Sequence, residues 1–178
     1  MKTIAGKQDC QTSGSLARGL RDLVRSQAAD SERARTLTPD IVEAVLQEGA
    51  RLAEEVFFPI NQTGDQEGCT RHEDGSVTTP KGFKEAFDQF REAGWGTLSQ
   101  PEEFGGQGLP HVVAFAMEEM ISSSNQAFGM YPGLTNGAIS ALIAKGSQEQ
   151  KEKYLPKLAS GEWKAAYCLT EPGSGSDA

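Results

Sequence analysis

The chain has 178 residues, 37% of them hydrophobic and 24% charged, with a net charge of −8. That length suits one ordinary domain and the opening of a second, and the composition is that of a soluble globular protein rather than a disordered segment. An acidic chain without a Lys/Arg cluster lacks the footprint of a nucleic-acid binder and is unsuited to an anionic membrane surface, and no apolar run approaches the roughly 20 residues of a membrane span.

Met1 to Ser15 is polar and reads as a frayed end with no secretion signal. Leu16, Leu20, Leu23 and Val24 stand at helical spacing and predict an amphipathic helix over Leu16–Ala29. Thr38-Pro39 is a helix start, with threonine as cap and proline at the first helical position. The apolar positions Ile41, Val42, Val45, Leu46, Leu52, Ala53, Val56 and Phe57 then keep a 3.6-residue period up to Pro59. Glu43, Glu48, Arg51 and Glu54 form the solvated face. Asn61–Thr79, rich in Gly, Asp and Thr, reads as a long surface loop with a tight turn at Asp74-Gly75.

Thr79-Pro80 repeats the cap-then-proline signal, and Phe83, Ala86, Phe87 and Phe90 form a stripe expected in the core, closed by Gly94. Pro101-Glu102-Glu103-Phe104-Gly105-Gly106-Gln107-Gly108 is a glycine-rich turn. Pro110 opens a helix with Val113, Ala116, Met117, Met120 and Ile121 inward. The neighbouring Glu118 and Glu119 diverge around it and make no acid/base pair. The run Pro132–Ala144 is apolar on most sides and is expected at the centre of a bundle. Gly146 ends it, and Ser147 with Gln150 forms a capping box for a helix that turns Tyr154, Leu155 and Leu158 inward. Cys10, Cys69 and Cys168 are widely separated and read as reduced thiols of a cytoplasmic protein, Cys168 as a small core residue. His72 and His111 have no ligand-like neighbours, so no metal site is expected.

After Gly161 the pattern changes. Trp163, Ala165, Tyr167 and Leu169 alternate with Lys164, Ala166, Cys168 and Thr170, which predicts a strand. It runs into Glu171-Pro172-Gly173-Ser174-Gly175-Ser176-Asp177, where glycine backbone and serine hydroxyls suit a phosphate or the polar edge of a flat heterocycle. Such loops are more often plain turns, and Tyr167 and Leu169 are as readily explained as core residues. A single strand cannot satisfy its own backbone, so a β domain is expected to continue beyond it.

Leu169-Thr170-Glu171-Pro172-Gly173-Ser174-Gly175-Ser176-Asp177 closely resembles the flavin-contacting signature of acyl-CoA dehydrogenases. Pro101–Gly108 resembles that family's Pro-Glu-x-aromatic-Gly-Gly-x-Gly segment. Gly146-Ser147, Glu149-Gln150-Lys151, Tyr154-Leu155-Pro156 and Gly161-Glu162 fill the interval in the family's order. The resemblance covers about residues 38–178, and Asn61–Phe83 looks like the branch acting on 3-methylthiopropanoyl-CoA. It implies a mainly α chain of five to six helices followed by the first strand of a truncated β domain. The divisions are 1–37, an N-terminal segment with one helix; 38–161, the helical domain; and 162–178, the start of the middle β domain.

The resemblance further implies an FAD-dependent flavoprotein oxidoreductase of fatty acid metabolism that dehydrogenates the α,β bond of an acyl-CoA. Its partners would be the acyl-CoA and an electron-transfer flavoprotein, and the full-length protein would be a homo-oligomer. Tyr167, Leu169 and Thr170 would lie against the isoalloxazine ring, Gly175 and Ser176 would contact the FAD phosphates, and Ser176 would also touch the substrate. The family's catalytic glutamate belongs to a C-terminal bundle, so none of Glu102, Glu103, Glu118, Glu119 or Glu171 takes that role, and the chain alone is expected to be inactive. The rival readings are an acyl-CoA oxidase and a non-enzymatic helical interaction module.

Overall fold

Proline opens the first helix where the sequence places it, and a second proline, Pro59, fails to stop it. The computed structural model describes residues 37–175; the expected helix over Leu16–Ala29, Cys10 and Ser176 lie outside them. Helix α1, Pro39–Leu52, is preceded by Thr38 in extended conformation. It passes through a π-helical turn, Ala53–Phe57, directly into α2, Phe58–Glu67. Pro59 has no N–H to give and its ring crowds the carbonyl four residues back. The wider π turn immediately upstream lets the helix continue through that position. The predicted 61–79 loop is therefore corrected: its first part is helical, ending at Gly68 (φ 64°).

The rest of that stretch is a small hairpin. Strand β1, Thr70–Arg71, pairs antiparallel with β2, Val77–Thr78, in the register Thr70–Thr78 and Arg71–Val77. The turn falls at Asp74-Gly75 as predicted: Gly75 has φ 84°, and one Asp74 carboxylate oxygen accepts from the Ser76 N–H at 2.9 Å and its hydroxyl at 2.7 Å.

Helix α3, Phe83–Glu92, starts later than Thr79-Pro80 suggests, because left-handed Gly82 (φ 88°) stands at its cap. Ala86 and Phe90 are buried, and Phe83 and Phe87 pack against the same core. Helix α4, His111–Lys145, is one long element with a break at Asn125 (φ −159°, ψ 89°). Helix α5, Gln148–Ala159, carries the predicted capping box: Ser147 Oγ accepts from the Gln150 N–H at 3.3 Å, and Gln150 Oε1 accepts from the Ser147 N–H at 2.9 Å. The mainly α class expected from the sequence is the one observed.

The main core lies where α1, the π turn, α3 and the first half of α4 meet. Phe57 and Phe128 stack with centroids 4.3 Å apart, and Phe90 meets Phe128 edge-on at 5.9 Å. Val42, Leu52, Val113, Met117 and Ile121 surround them. A smaller cluster, Ile139 with Leu155 and Leu158, joins α4 to α5. Two burial expectations fail. Ile41 lies outside the buried face, and the Pro132–Ala144 run is the second half of α4, not a bundle centre. Only Pro132, Thr135 and Ile139 are buried along it, and Leu134 is 47% exposed, because α5 covers one side alone.

The break in α4 is built, not accidental. Asn125 is 1% exposed; its amide Nδ2 donates to the Phe57 carbonyl oxygen at 3.1 Å, and its Oδ1 accepts from the Phe128 N–H at 3.0 Å. One side chain thus caps the second half of α4 and ties it to the π turn. Replacing Asn125 with Ala removes both bonds from a buried site, which costs about 1–3 kcal/mol. Asn125→Ala should lower the urea midpoint accordingly, and a midpoint within error of wild type would show that the two bonds are not formed in solution.

Candidate functional site

The resemblance directs attention to the segment after α5, and the structure shows how that segment leaves the helices. Gly161 turns the chain with φ 74°, and the Trp163 N–H donates to the Lys157 carbonyl at 3.0 Å. The Trp163 indole lies 6.1 Å from the Tyr154 ring, with Lys157 Nζ 4.4 Å from its centroid. Lys164 Nζ sits 4.0 Å from the Phe87 ring centroid and 5.6 Å from that of Tyr131. The Ala165 N–H donates to Thr135 Oγ1 at 3.3 Å, and Thr135 is 3% exposed.

Past Ala165 the side chains turn outward. Tyr167 is 73% exposed and Leu169 41%; Cys168 and Thr170 are exposed as well. The alternation expected of a strand is absent from the burial, and residues 163–170 pair with no strand among the described residues. Only Trp163, Lys164 and Ala165 meet the helices, and beyond them no paired strand is present among the described residues to sort two faces. Tyr167 and Leu169 thus lie outside the helical core of this chain, and so does Cys168, expected as a core thiol; Cys69 and Cys168 are free and exposed.

The Glu171–Ser174 stretch is a closed turn. The Glu171 N–H donates to the Ser174 carbonyl at 2.8 Å, and the Ser174 N–H to the Glu171 carbonyl at 3.2 Å. Those two amides are therefore spent within the turn, which corrects the simplest picture of a backbone cradle. Around Gly173 and Gly175 there is open space, with no atom within 4 Å of where a Cβ would stand. Ahead of this turn Tyr167, Leu169 and Thr170 form an exposed row. Gly175 is the last described residue, and Ser176 falls outside the described residues.

The other glycine-rich motif does a different job. The backbone of 106–109 lies along 97–101: the Gly106 N–H donates to Pro101 O at 2.9 Å, Gln107 to Thr97 O at 2.9 Å, Gly108 to Gln100 O at 2.9 Å and Leu109 to Leu98 O at 2.8 Å. Gln107 Nε2 and Thr97 Oγ1 both donate to the Gly94 carbonyl, at 2.8 and 2.9 Å. A Cβ on Gly106 would stand 2.0 Å from the Gln100 carbonyl oxygen. This motif ties the end of α3 to the start of α4.

Sequence reasoning missed two features. A cleft of about 740 Å3 opens between α2, the hairpin, α3 and α4, floored by Phe83, Phe87 and Phe128 and rimmed by Asp65, Lys84 and Tyr131. The sequence pattern hides it, because the residues of α2 have the composition of a loop. The second is Lys164 itself: burial, reinforced by the Arg91 charge, pushes its ammonium down to about 8. Among the described residues no three His, Cys, Asp or Glu side chains form a metal-ligand group, and no helix is long and apolar enough to cross a membrane.

Residues 42–162 match the family model for the N-terminal domain of acyl-CoA dehydrogenases. The chain is 48% identical over 138 residues to 3-methylmercaptopropionyl-CoA dehydrogenase of Ruegeria pomeroyi, covering 78% of this chain and 23% of that protein. It is 34% identical over 140 residues to a butyryl-CoA dehydrogenase of Syntrophomonas wolfei, with the same coverages. An acyl-CoA dehydrogenase from Bacillus anthracis, solved in complex with FAD, superposes with a TM-score of 0.59 at 28% identity, over 78% of this chain and 22% of that one. The chain thus spans about 23% of the length of these curated relatives.

Gly106→Ala should destabilise the domain by about 3 kcal/mol or more, since the added methyl meets backbone that cannot move aside. Thermal unfolding measures this. Gly173→Ala, in open space, should leave the midpoint within about 0.5 kcal/mol of wild type, and equal effects at the two sites would refute the distinction drawn between the two glycine motifs.

Proposed function

Because the chain belongs to the acyl-CoA dehydrogenase family, we propose that it forms the N-terminal helical domain of an FAD-dependent enzyme that dehydrogenates an acyl-CoA thioester. The observation that carries this reading is the family match over residues 42–162, in register with the flavin-type signature that follows it. The acyl group proposed is a short one of the 3-methylmercaptopropionyl type, supported by the 48% identity to the Ruegeria pomeroyi dehydrogenase. FAD, when bound, supplies the acceptor for the hydride that leaves the β carbon.

The contribution of this chain is to bind and orient. Tyr167 and Leu169 offer exposed apolar surface to the flavin ring, and the Thr170 hydroxyl, exposed at the end of the segment, offers a hydrogen bond to its polar edge. Gly175 leaves room for the phosphates, with Ser176 beside it contacting phosphate and substrate. The base that removes the α proton is a glutamate from the C-terminal bundle characteristic of the family, and no glutamate of this chain is assigned to it. The helices hold the segment in place. A soluble cytoplasmic enzyme, homo-oligomeric and passing electrons to an electron-transfer flavoprotein, completes the reading.

In the enzyme containing this domain, Thr170→Val should weaken FAD binding about tenfold, the loss of one hydrogen bond to a polar ring edge. Flavin fluorescence titration of the apoenzyme reads that change, and undiminished affinity would remove Thr170 from the site. The 178-residue chain by itself should show no acyl-CoA-dependent reduction of a dye acceptor. Stoichiometric FAD and turnover in that sample would contradict the division of labour proposed here.

A further inference from the structure

The segment that carries Tyr167, Leu169 and Thr170 is held by what happens immediately before it. Gly161 (φ 74°) and the Trp163–Lys157 bond fix the turn out of α5, and the Ala165 N–H bond to Thr135 Oγ1 is the last one made to the helices before the side chains open to solvent. Between those two ties stands Lys164, whose side chain runs back across the helices to the T-shaped pair formed by Phe87 of α3 and Tyr131 of α4, with ring centroids 5.0 Å apart at 82°. It is the only side chain of 163–170 reaching a ring of either helix among the described contacts.

We propose that Lys164 is a positioning residue for the flavin site: its side chain, reaching back to set Nζ over the Phe87 ring and near that of Tyr131, seats residues 165–170 in the orientation that presents Tyr167, Leu169 and Thr170. The proposal rests on the flavoenzyme reading above and adds to it a residue that touches neither flavin nor substrate. Long amphipathic side chains commonly bury their methylenes against apolar surface in this way while the charged head seeks water or a ring face. Here the seat is a compromise. The ring faces favour the ammonium, whereas burial and Arg91 disfavour it, and the balance leaves Lys164 with its proton held less tightly than in water, to about 8.

That balance sets a direction. Seated, Lys164 gives up its proton near pH 8; unseated, it keeps the proton to the ordinary lysine value of 10.5. The seated state therefore binds fewer protons across that window, and raising the pH from about 8 favours seating, while below it the cost of burying the charge is fully present. The other charged and titratable groups around the seat are Arg91 and Asp88 on α3, which pair at 3.4 Å, Tyr131 on α4, Lys157 on α5 and Glu162 in the turn, the last two paired at 3.3 Å.

Hydrogen exchange at the Ala165 amide, expressed as a protection factor, reads the seating on the chain itself and needs no flavin. Lys164→Ala should lower that protection about tenfold or more, and Lys164→Met, which keeps the stem and drops the charge, should restore it. In the wild type the protection should rise about twentyfold between pH 7.5 and 9.5, a rise Lys164→Met should lack. Equal protection in the wild type and Lys164→Ala overturns the proposal, as does loss of protection in Lys164→Met. The second arm is FAD titration of the apoenzyme containing this domain: affinity should fall in Lys164→Ala and recover in Lys164→Met, with unchanged thermal midpoints. A wild type that binds FAD with Lys164→Ala binding equally well overturns the positioning role. A wild type that takes up no FAD overturns the flavoenzyme reading, and the positioning role with it, whatever the exchange data show.

Discussion

A single buried amide group holds this domain's two irregularities together. The π turn at Ala53–Phe57 widens one helix and the break at Asn125 interrupts another, and the Asn125 side chain bridges them by donating to the Phe57 carbonyl and accepting from the Phe128 N–H. Each irregularity alone would leave backbone groups short of partners inside the protein, a cost comparable to a lost hydrogen bond. Together they satisfy each other, and the stacked rings of Phe57 and Phe128 fill the space between. Position follows from this. The direction of the second half of α4, which carries Thr135 and Tyr131, is set at Asn125, and those two residues receive the segment that leads to the candidate flavin contacts.

Much of this was legible in the sequence wherever local chemistry and tertiary packing agree. The Ser147–Gln150 capping box, the turn at Asp74-Gly75 and the phenylalanine stripe of α3 are set by side chains within a few residues of one another, and each stands where the pattern places it. The mainly helical class followed from the same signals. What could not be read depends on distant partners. Pro59 carries a strong stop signal, yet the helix passes it because the turn upstream widens, and that widening is stabilised by an asparagine 68 positions along the chain. Likewise Pro132–Ala144 has the composition of a buried helix, but burial needs neighbours on every side, and α5 supplies one.

The site shows the same division. Its motif was recognisable, but its geometry was not. Alternation in 163–170 predicts a strand with an inward face, and without a ladder the chain instead leaves Tyr167, Cys168, Leu169 and Thr170 open. Strand-like sequence is a statement about available faces, and which face is covered depends on what stands next to it.

The two glycine-rich motifs make the point most sharply, because composition treats them alike. Pro101–Gly108 and Glu171–Gly175 both pair proline and acidic residues with closely spaced glycines, and either could have been taken for a ligand cradle. In the first, glycine is required by protein: backbone of 106–109 lies so close to 97–101 that a methyl on Gly106 has no place, and its amides are consumed by Pro101, Thr97, Gln100 and Leu98. In the second, a Cβ built on Gly173 or Gly175 would meet no atom within 4 Å, so side-chain space is not what requires glycine there. A glycine that packs against its own backbone serves the fold, whereas glycines that face open space beside an exposed hydroxyl and aromatic ring leave room for something from outside. On that difference the first motif serves the fold, fixing where α4 begins, and the proposed binding role falls to the second.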